Sequence, residues 1–158
     1  MRRNGGARVA LVAISVLALC GTAIGADNNI GTWKLNLAKS THSPGPLPKS
    51  NTVKIEAWGD DGVKYAADGV GADGKPTHAE FQATYDGKEY AFKGNPAHTL
   101  AYKRIDANTV QATTKMNGKV TITGTITVSA DGKTRTVVQT GTNSHGHSVN
   151  NSHVFDKQ

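Results

Sequence analysis

The stretch Asn117-Gly118-Lys119-Val120-Thr121-Ile122-Thr123-Gly124-Thr125-Ile126-Thr127-Val128 decides the fold. A tight-turn dipeptide opens it. After the turn, apolar residues alternate with threonine at nearly every second position, which is the two-residue period of a strand with one face buried and one in water. Asn-Gly suits a type I′ hairpin because both of its central residues need positive φ, which Asn and Gly adopt at low cost.

The same punctuation recurs outward from this segment. Asp61-Gly62, Asp73-Gly74, Asp86-Gly87 and Asp131-Gly132 join Asn117-Gly118, 12 to 14 residues apart where they are consecutive. Each pair is expected to reverse the chain. Between them the alternation places Val53, Ile55 and Ala57 on one face, then Ala79, Phe81, Ala83 and Tyr85, then Val110, Ala112 and Met116. No stretch has a helical period. With softer turns near Asn95-Pro96, Asp106-Ala107-Asn108 and His145-Gly146, about ten strands are expected. They start near Ile30, Asn51, Val63, Thr77, Glu89, His98, Thr109, Lys119, Thr134 and Ser148. Pro44, Pro46 and Pro48 forbid a central strand over residues 38–49, so this segment should swing across one end of the sheet. The expected architecture is all-β, an antiparallel up-and-down meander of 8–10 strands closed into a small barrel, because closure removes the two free edges. An open β-sandwich is the alternative.

The first residues read differently. Arg2, Arg3 and Arg8 precede an apolar run from Val9 to Leu19, and small residues dominate from Gly21 to Ala26. That is the layout of a secretory signal peptide, and the run is too short to span a bilayer as a stable helix, which needs roughly 20 residues. Cleavage after Gly25 or Ala26 is expected, leaving a domain over residues 26–158, periplasmic or secreted. Leu19 before Cys20 argues against lipidation, which calls for a small residue there, and Asn4, Gly5 and Gly6 break a twin-arginine pattern. Because Cys20 is the only cysteine, the mature part has neither disulfides nor thiol chemistry.

Removal of the leader leaves 15 basic against 12 acidic side chains, a net charge of +3 spread along the chain. This dispersion excludes a nucleic-acid footprint, which needs concentrated positive charge. Leu, Ile, Val and Phe number only 22 in the mature part, so the core should be thin.

Gly31-Thr32-Trp33-Lys34-Leu35 resembles the Gly-x-Trp start of strand one in lipocalins and, more closely, the Gly-Thr-Trp-Lys-Leu of fatty-acid-binding proteins. His153-Val154-Phe155-Asp156-Lys157 sits where the latter carry Arg-x-Tyr, an acidic residue and lysine. The resemblance implies a small barrel around a ligand cavity. Two departures bear on function. A proline segment replaces the helix pair that follows strand one in that family, and His153 and Phe155 replace the arginine and tyrosine that grip a carboxylate. Signal peptides are alien to that intracellular family, so an exported bacterial lipocalin-like protein is the nearer comparison.

Candidate ligand-binding residues in the barrel interior are Trp33, Tyr65, Phe81, Tyr85, Tyr102, His153 and Phe155, with Tyr90 and Phe92 as further aromatics and Ala67, Ala83, Ala101 and Ala112 leaving room beside them. Trp33 is expected chiefly as a plug for the narrow end, with Arg135 or Lys157 over its ring. His145, His147 and His153 are the one concentration of metal-capable side chains. Gly146 is expected to point the two loop imidazoles apart, so no metal and no cofactor is assigned. Glu56, Glu80 and Glu89 alternate with apolar residues and read as solvated strand faces. No nucleophile elbow, His-Glu-x-x-His helix or phosphate-cradling loop is present, so the reading is non-enzymatic. The leading function is binding of a small, largely apolar molecule, against a scaffold with a filled core and, third, an enzyme built on the barrel.

Overall fold

A computed structural model describes residues 27–143 and 145–158. The expected leader, with its cleavage point and Cys20, lies outside the described residues. Ten strands follow in chain order: β1 (Gly31–Leu35), β2 (Ser50–Ala57), β3 (Gly62–Val70), β4 (Pro76–Thr84), β5 (Asp86–Phe92), β6 (Asn95–Asp106), β7 (Thr109–Met116), β8 (Lys119–Val128), β9 (Thr134–Thr142) and β10 (Ser148–Lys157). The one helical element among the described residues is the 3-10 turn Leu37–Lys39.

The strands form one sheet in the order β4-β3-β2-β1-β10-β9-β8-β7-β6-β5, each antiparallel to its neighbour. First and last strands meet, with Trp33 opposite Lys157 and Leu35 opposite Phe155. The barrel is nearly closed. Its one seam lies between β4 and β5, which share no ladder and touch through single bonds such as Lys93 N–H to the Glu80 carbonyl at 2.8 Å. Asp86-Gly87 therefore reverses the chain as expected, but without the ladder of a paired hairpin. Packing of Phe81 edge-on to Phe92, 5.2 Å between centroids, helps close the seam.

The turns refine the dihedral argument. Among the described residues only Asn117-Gly118 has two consecutive positive φ values, 51° and 76°. In the loops 71–75, 129–134 and 143–147 one glycine takes the left-handed conformation, and the turn closes by an i+3 bond such as Gly132 N–H to Ser129 O. Asp73, Asp131 and Asn143 accept backbone N–H groups two residues on, which is why these residue types sit there. At Asp61-Gly62 the turn residue is instead Gly59, φ 61°, and Gly62 already belongs to β3.

Inward phases match the alternation except in two places. Ala57 is exposed at the end of β2. In β8 a bulge pairs Thr114 with Ile122 but Lys115 with Val120, leaving Thr121 extra. The slip of one residue turns Val120 outward, 49% exposed, while Ile126 and Val128 stay buried.

The segment after β1 follows β10 first, and its proline part then leads across the end of β1 to Lys49, whose N–H bonds the Val70 carbonyl. Past the 3-10 turn it runs along β10 as a continuation of the β1 track, with Thr41 bridging Ser152 and the Asn150 N–H bonded to the Ser43 carbonyl. It is called the strap below.

Candidate functional site

Buried side chains divide the interior in two. Toward the end built by the β2–β3 and β8–β9 loops, Trp33, Val53, Val63 and Ala83 are wholly buried and pack with Val128 and Tyr85. Toward the other end a cavity of about 300 Å³ remains, lined among others by Tyr65, Phe81, Phe92, Tyr102, Ala112 and Phe155. Small inward residues, Ala79, Ala112 and Gly124, leave this space where large ones would fill it.

Of the seven interior residues read from the sequence, Tyr65, Phe81, Tyr102, His153 and Phe155 line this cavity. Trp33 and Tyr85 do not, and both sit in the packed end. Trp33 is 0% exposed, donates its Nε1–H to the Asn29 carbonyl at 2.9 Å, and has Lys157 Nζ 5.1 Å over its ring. Tyr85 lies under the Arg104 guanidinium, 4.0 Å from the ring centroid, and donates its hydroxyl to Asp27 Oδ2 at 2.7 Å.

Arg135 is instead a cavity residue. It is 2% exposed, its guanidinium carbon stands 5.6 Å from the Phe155 ring centroid, and its Nε–H donates to Asn29 Oδ1 at 2.8 Å. Among the described residues no Asp or Glu lines the cavity beside it; its polar companions there are Asn51, Thr114, Gln139, His153 and the two phenols. A buried cation without a carboxylate is costly, so a dipole or anion placed against it is strongly favoured. Its charge reaches the phenols: burial pushes the Tyr65 and Tyr102 hydroxyls up from their ordinary range, and Arg135 pulls both partly back. Sequence reasoning considered Arg135 only as a lid for Trp33. The available signal was its inward phase, two residues before Val137 on β9.

Asn29 ties floor to cavity. Its Oδ1 takes Arg135, its Nδ2–H donates to Tyr85 Oη at 3.2 Å, and its carbonyl takes Trp33. At the opposite end His153 is partnered by His42 of the strap, Nδ1 to Nε2 at 3.1 Å. It stands apart from the other two histidines, with which the sequence grouped it. His145 and His147 have ring centroids 6.4 Å apart and planes within 25°, so the two rings lie side by side instead of pointing apart. Both residues' backbone N–H groups bond Asn143 Oδ1, which folds the loop tightly around Gly146. Among the described residues no group of three or more His, Cys, Asp or Glu side chains is placed to hold a metal ion.

The three glutamates stay on solvated faces: Glu56 pairs Lys54 at 3.0 Å, Glu80 pairs Lys93 at 2.6 Å, and Glu89 pairs Lys115. An outer groove of about 560 Å³ lies over the seam, bordered by Trp58, Tyr90 and several of these charges.

No family model matches the chain, and no curated protein matches it in sequence. Solved structures do. The fluorescent protein UnaG, wild type, superposes with a TM-score of 0.57 at 16% identity over 82% of this chain and 97% of that one. Its N57A mutant gives 0.56 at 14% identity over 83% and 96%. Lobster apocrustacyanin A1 gives 0.47 at 10% identity, covering 87% of this chain and 64% of that one. With the ten-strand order described above, the likeness to UnaG shows a calycin-type barrel, the fold class shared by lipocalins and fatty-acid-binding proteins.

Proposed function

We propose that this calycin-type barrel is an exported, non-enzymatic carrier that binds one small, largely apolar molecule in its interior, with a hydrogen-bond-accepting or anionic group of that molecule turned toward Arg135. The carrying observation is the cavity itself: about 300 Å³ with a mainly aromatic and aliphatic lining and one buried cation. Ligand pockets span about 300–1,000 Å³, so the size suits a compact molecule. A scaffold would have used that volume for side chains, since protein interiors pack to crystal density. The cation supplies orientation, as the few convergent polar groups of a binding pocket do.

Export is supported by the basic, apolar and small-residue order of residues 1–26. Mass spectrometry of the protein from its own host should give a mature terminus at Ala26 or Asp27. An intact leader on the accumulated protein overturns export.

The binding reading is tested with a neutral apolar fluorophore, 1-aminoanthracene, titrated into the mature chain, and with native mass spectrometry of host-purified protein. Saturable binding at one site, lost when Ala112→Phe fills the cavity in a variant of unchanged circular dichroism, supports the carrier. Absence of saturable binding together with absence of any retained small molecule returns the scaffold.

A further inference from the structure

The strap and the barrel wall meet through two histidines 111 residues apart. His42 Nδ1 and His153 Nε2 are 3.1 Å apart, the ring centroids 5.3 Å apart, and the planes within 4° of one another. The centroid separation exceeds the nitrogen separation by about two ring-centre-to-atom lengths, and the rings are nearly coplanar. The nitrogens therefore face head to head. Such a contact needs one proton between the two atoms, a donor on one side and a lone pair on the other. It survives when one imidazole is neutral. When both carry a proton at the facing nitrogens, two N–H groups and two positive charges oppose one another and the contact is lost.

Among the described residues that line the cavity with His153, no carboxylate is placed to neutralise a doubly charged pair. His153 lines the cavity, and the charged or titratable groups that share it are Arg135 of β9, Tyr65 of β3 and Tyr102 of β6. The rest, Asn51 of β2, Thr114 of β7 and Gln139 of β9, are neutral. Asn151 of β10 accepts the Ser43 N–H, and Ser40 Oγ accepts the Val154 N–H. No carboxylate is among these groups and one of them is a cation. Burial, and then the nearby His42, hold the His153 imidazole below its ordinary range.

We propose that His42 and His153 form a proton-operated latch that holds the strap against β10 at the open end of the cavity and lets it go on acidification. The proposal rests on the carrier reading for its consequence, faster ligand escape, but the opening itself is independent of any ligand. The latched strap binds fewer protons than the free one, so stability of the closed form is present at neutral pH and is lost as pH falls below the ordinary imidazole range, about 6.5. Around the histidine pair the strap is held to β10 by the Thr41–Ser152 bridge, the Asn150-to-Ser43 bond, the Ser43-to-Asn151 bond and the Val154-to-Ser40 bond, and its two ends are fixed by Asn36 on Val154 and by Lys49 on Val70.

Hydrogen exchange on the mature chain tests it, expressed as protection factors so that intrinsic pH effects cancel. Between pH 7.5 and 5, protection at the Thr41, Asn150 and Ser152 amides should fall at least tenfold while that at Val53 and Ile126 in the barrel wall holds. His42→Gln and His153→Gln, measured separately, should remove this pH dependence. The dissociation rate of bound 1-aminoanthracene should rise over the same interval in the wild type and stay flat in both variants. Protection at the strap that is independent of pH overturns the latch, as does an equal fall in the glutamine variants; a dissociation rate that ignores strap opening overturns its consequence for ligand escape. If the fluorophore fails to bind at pH 7.5, the carrier reading fails, and the exchange data alone decide the latch.

Discussion

Asn29 Oδ1 accepts the Nε–H of Arg135 at 2.8 Å, a bond that joins residues 106 apart in sequence and links the packed end of the barrel to its cavity. The amide positions one edge of the guanidinium and leaves the charge unneutralised. Arg135 is thus a cation held by an amide, with no carboxylate beside it among the described residues, facing a largely apolar cavity.

Replacing it separates binding from folding. In Arg135→Met the thioether keeps much of the volume, and loss of a buried charge offsets the unpaired Asn29 oxygen, so stability in urea should change by no more than about 1–2 kcal/mol. An anionic apolar probe, 8-anilinonaphthalene-1-sulfonate, should bind at least tenfold more weakly, because a charge-assisted hydrogen bond is worth about 1.5–3 kcal/mol. The neutral 1-aminoanthracene should be nearly unaffected. Equal loss for both probes would assign Arg135 a purely structural role.

Asn29 is expected to be the more fragile partner. It is 3% exposed, and Asn29→Ala strands the Arg135 Nε–H and weakens the setting of the Tyr85 hydroxyl at once. The cost should be about 2–4 kcal/mol, from one to two buried groups left unsatisfied at about 1–3 kcal/mol each. Removing the solvated Glu89–Lys115 pair by Glu89→Ala should cost clearly less, because water screens such a pair. Chemical denaturation of both variants checks the order; a reversed ranking defeats the network argument.

How much of this was legible in the sequence depends on range. The β7–β8 hairpin was readable because Asn117-Gly118 and the alternation after it are local rules acting on neighbours. Val120 escaped that rule because a one-residue bulge is set by the partner strand. The seam was hidden for a related reason: Asp86-Gly87 looks like its fellow dipeptides, and whether β4 and β5 then pair depends on barrel closure. Arg135 with Asn29, and His42 with His153, are contacts over more than 100 residues, and nothing in either local sequence announces them. The cavity aromatics were legible as inward residues, but which half of the barrel they occupy was decided by where Trp33 and Tyr85 pack.

A backbone prediction concerns Gly141, at the cavity end of β9. Its φ is +149°, and a methyl group there would overlap the Thr121 carbonyl oxygen in the bulge of β8. Gly141→Ala should therefore lower stability by about 2 kcal/mol or more, adding overlap to the 1–3 kcal/mol of an unfavourable backbone region. Gly87→Ala, with a positive φ of 79° but open space around it, should cost less. Thermal melts that rank Gly87→Ala as the worse of the two contradict the close approach at Gly141.

The last prediction uses alkali. Of the four tyrosines, Tyr65, Tyr85 and Tyr102 have hydroxyls pushed up, in each case first by burial. For Tyr85 the bond to Asn29 opposes the rise, while the bond to Asp27 and that carboxylate's charge add to it. A phenol whose pKa is raised in the fold keeps its proton longer than in the unfolded chain. The folded state therefore binds more protons above about pH 10, and its advantage is complete below that pH and shrinks as pH rises. Phenolate absorbance near 295 nm should consequently appear for these three tyrosines in one cooperative step, coincident with loss of the β-sheet circular dichroism signal. Tyr102→Phe should reduce the height of that step by one residue without removing it. A smooth titration of the raised phenols near pH 10 in a barrel that remains folded would show that water reaches the rings, and with it that the interior does not shield an oriented ligand from solvent.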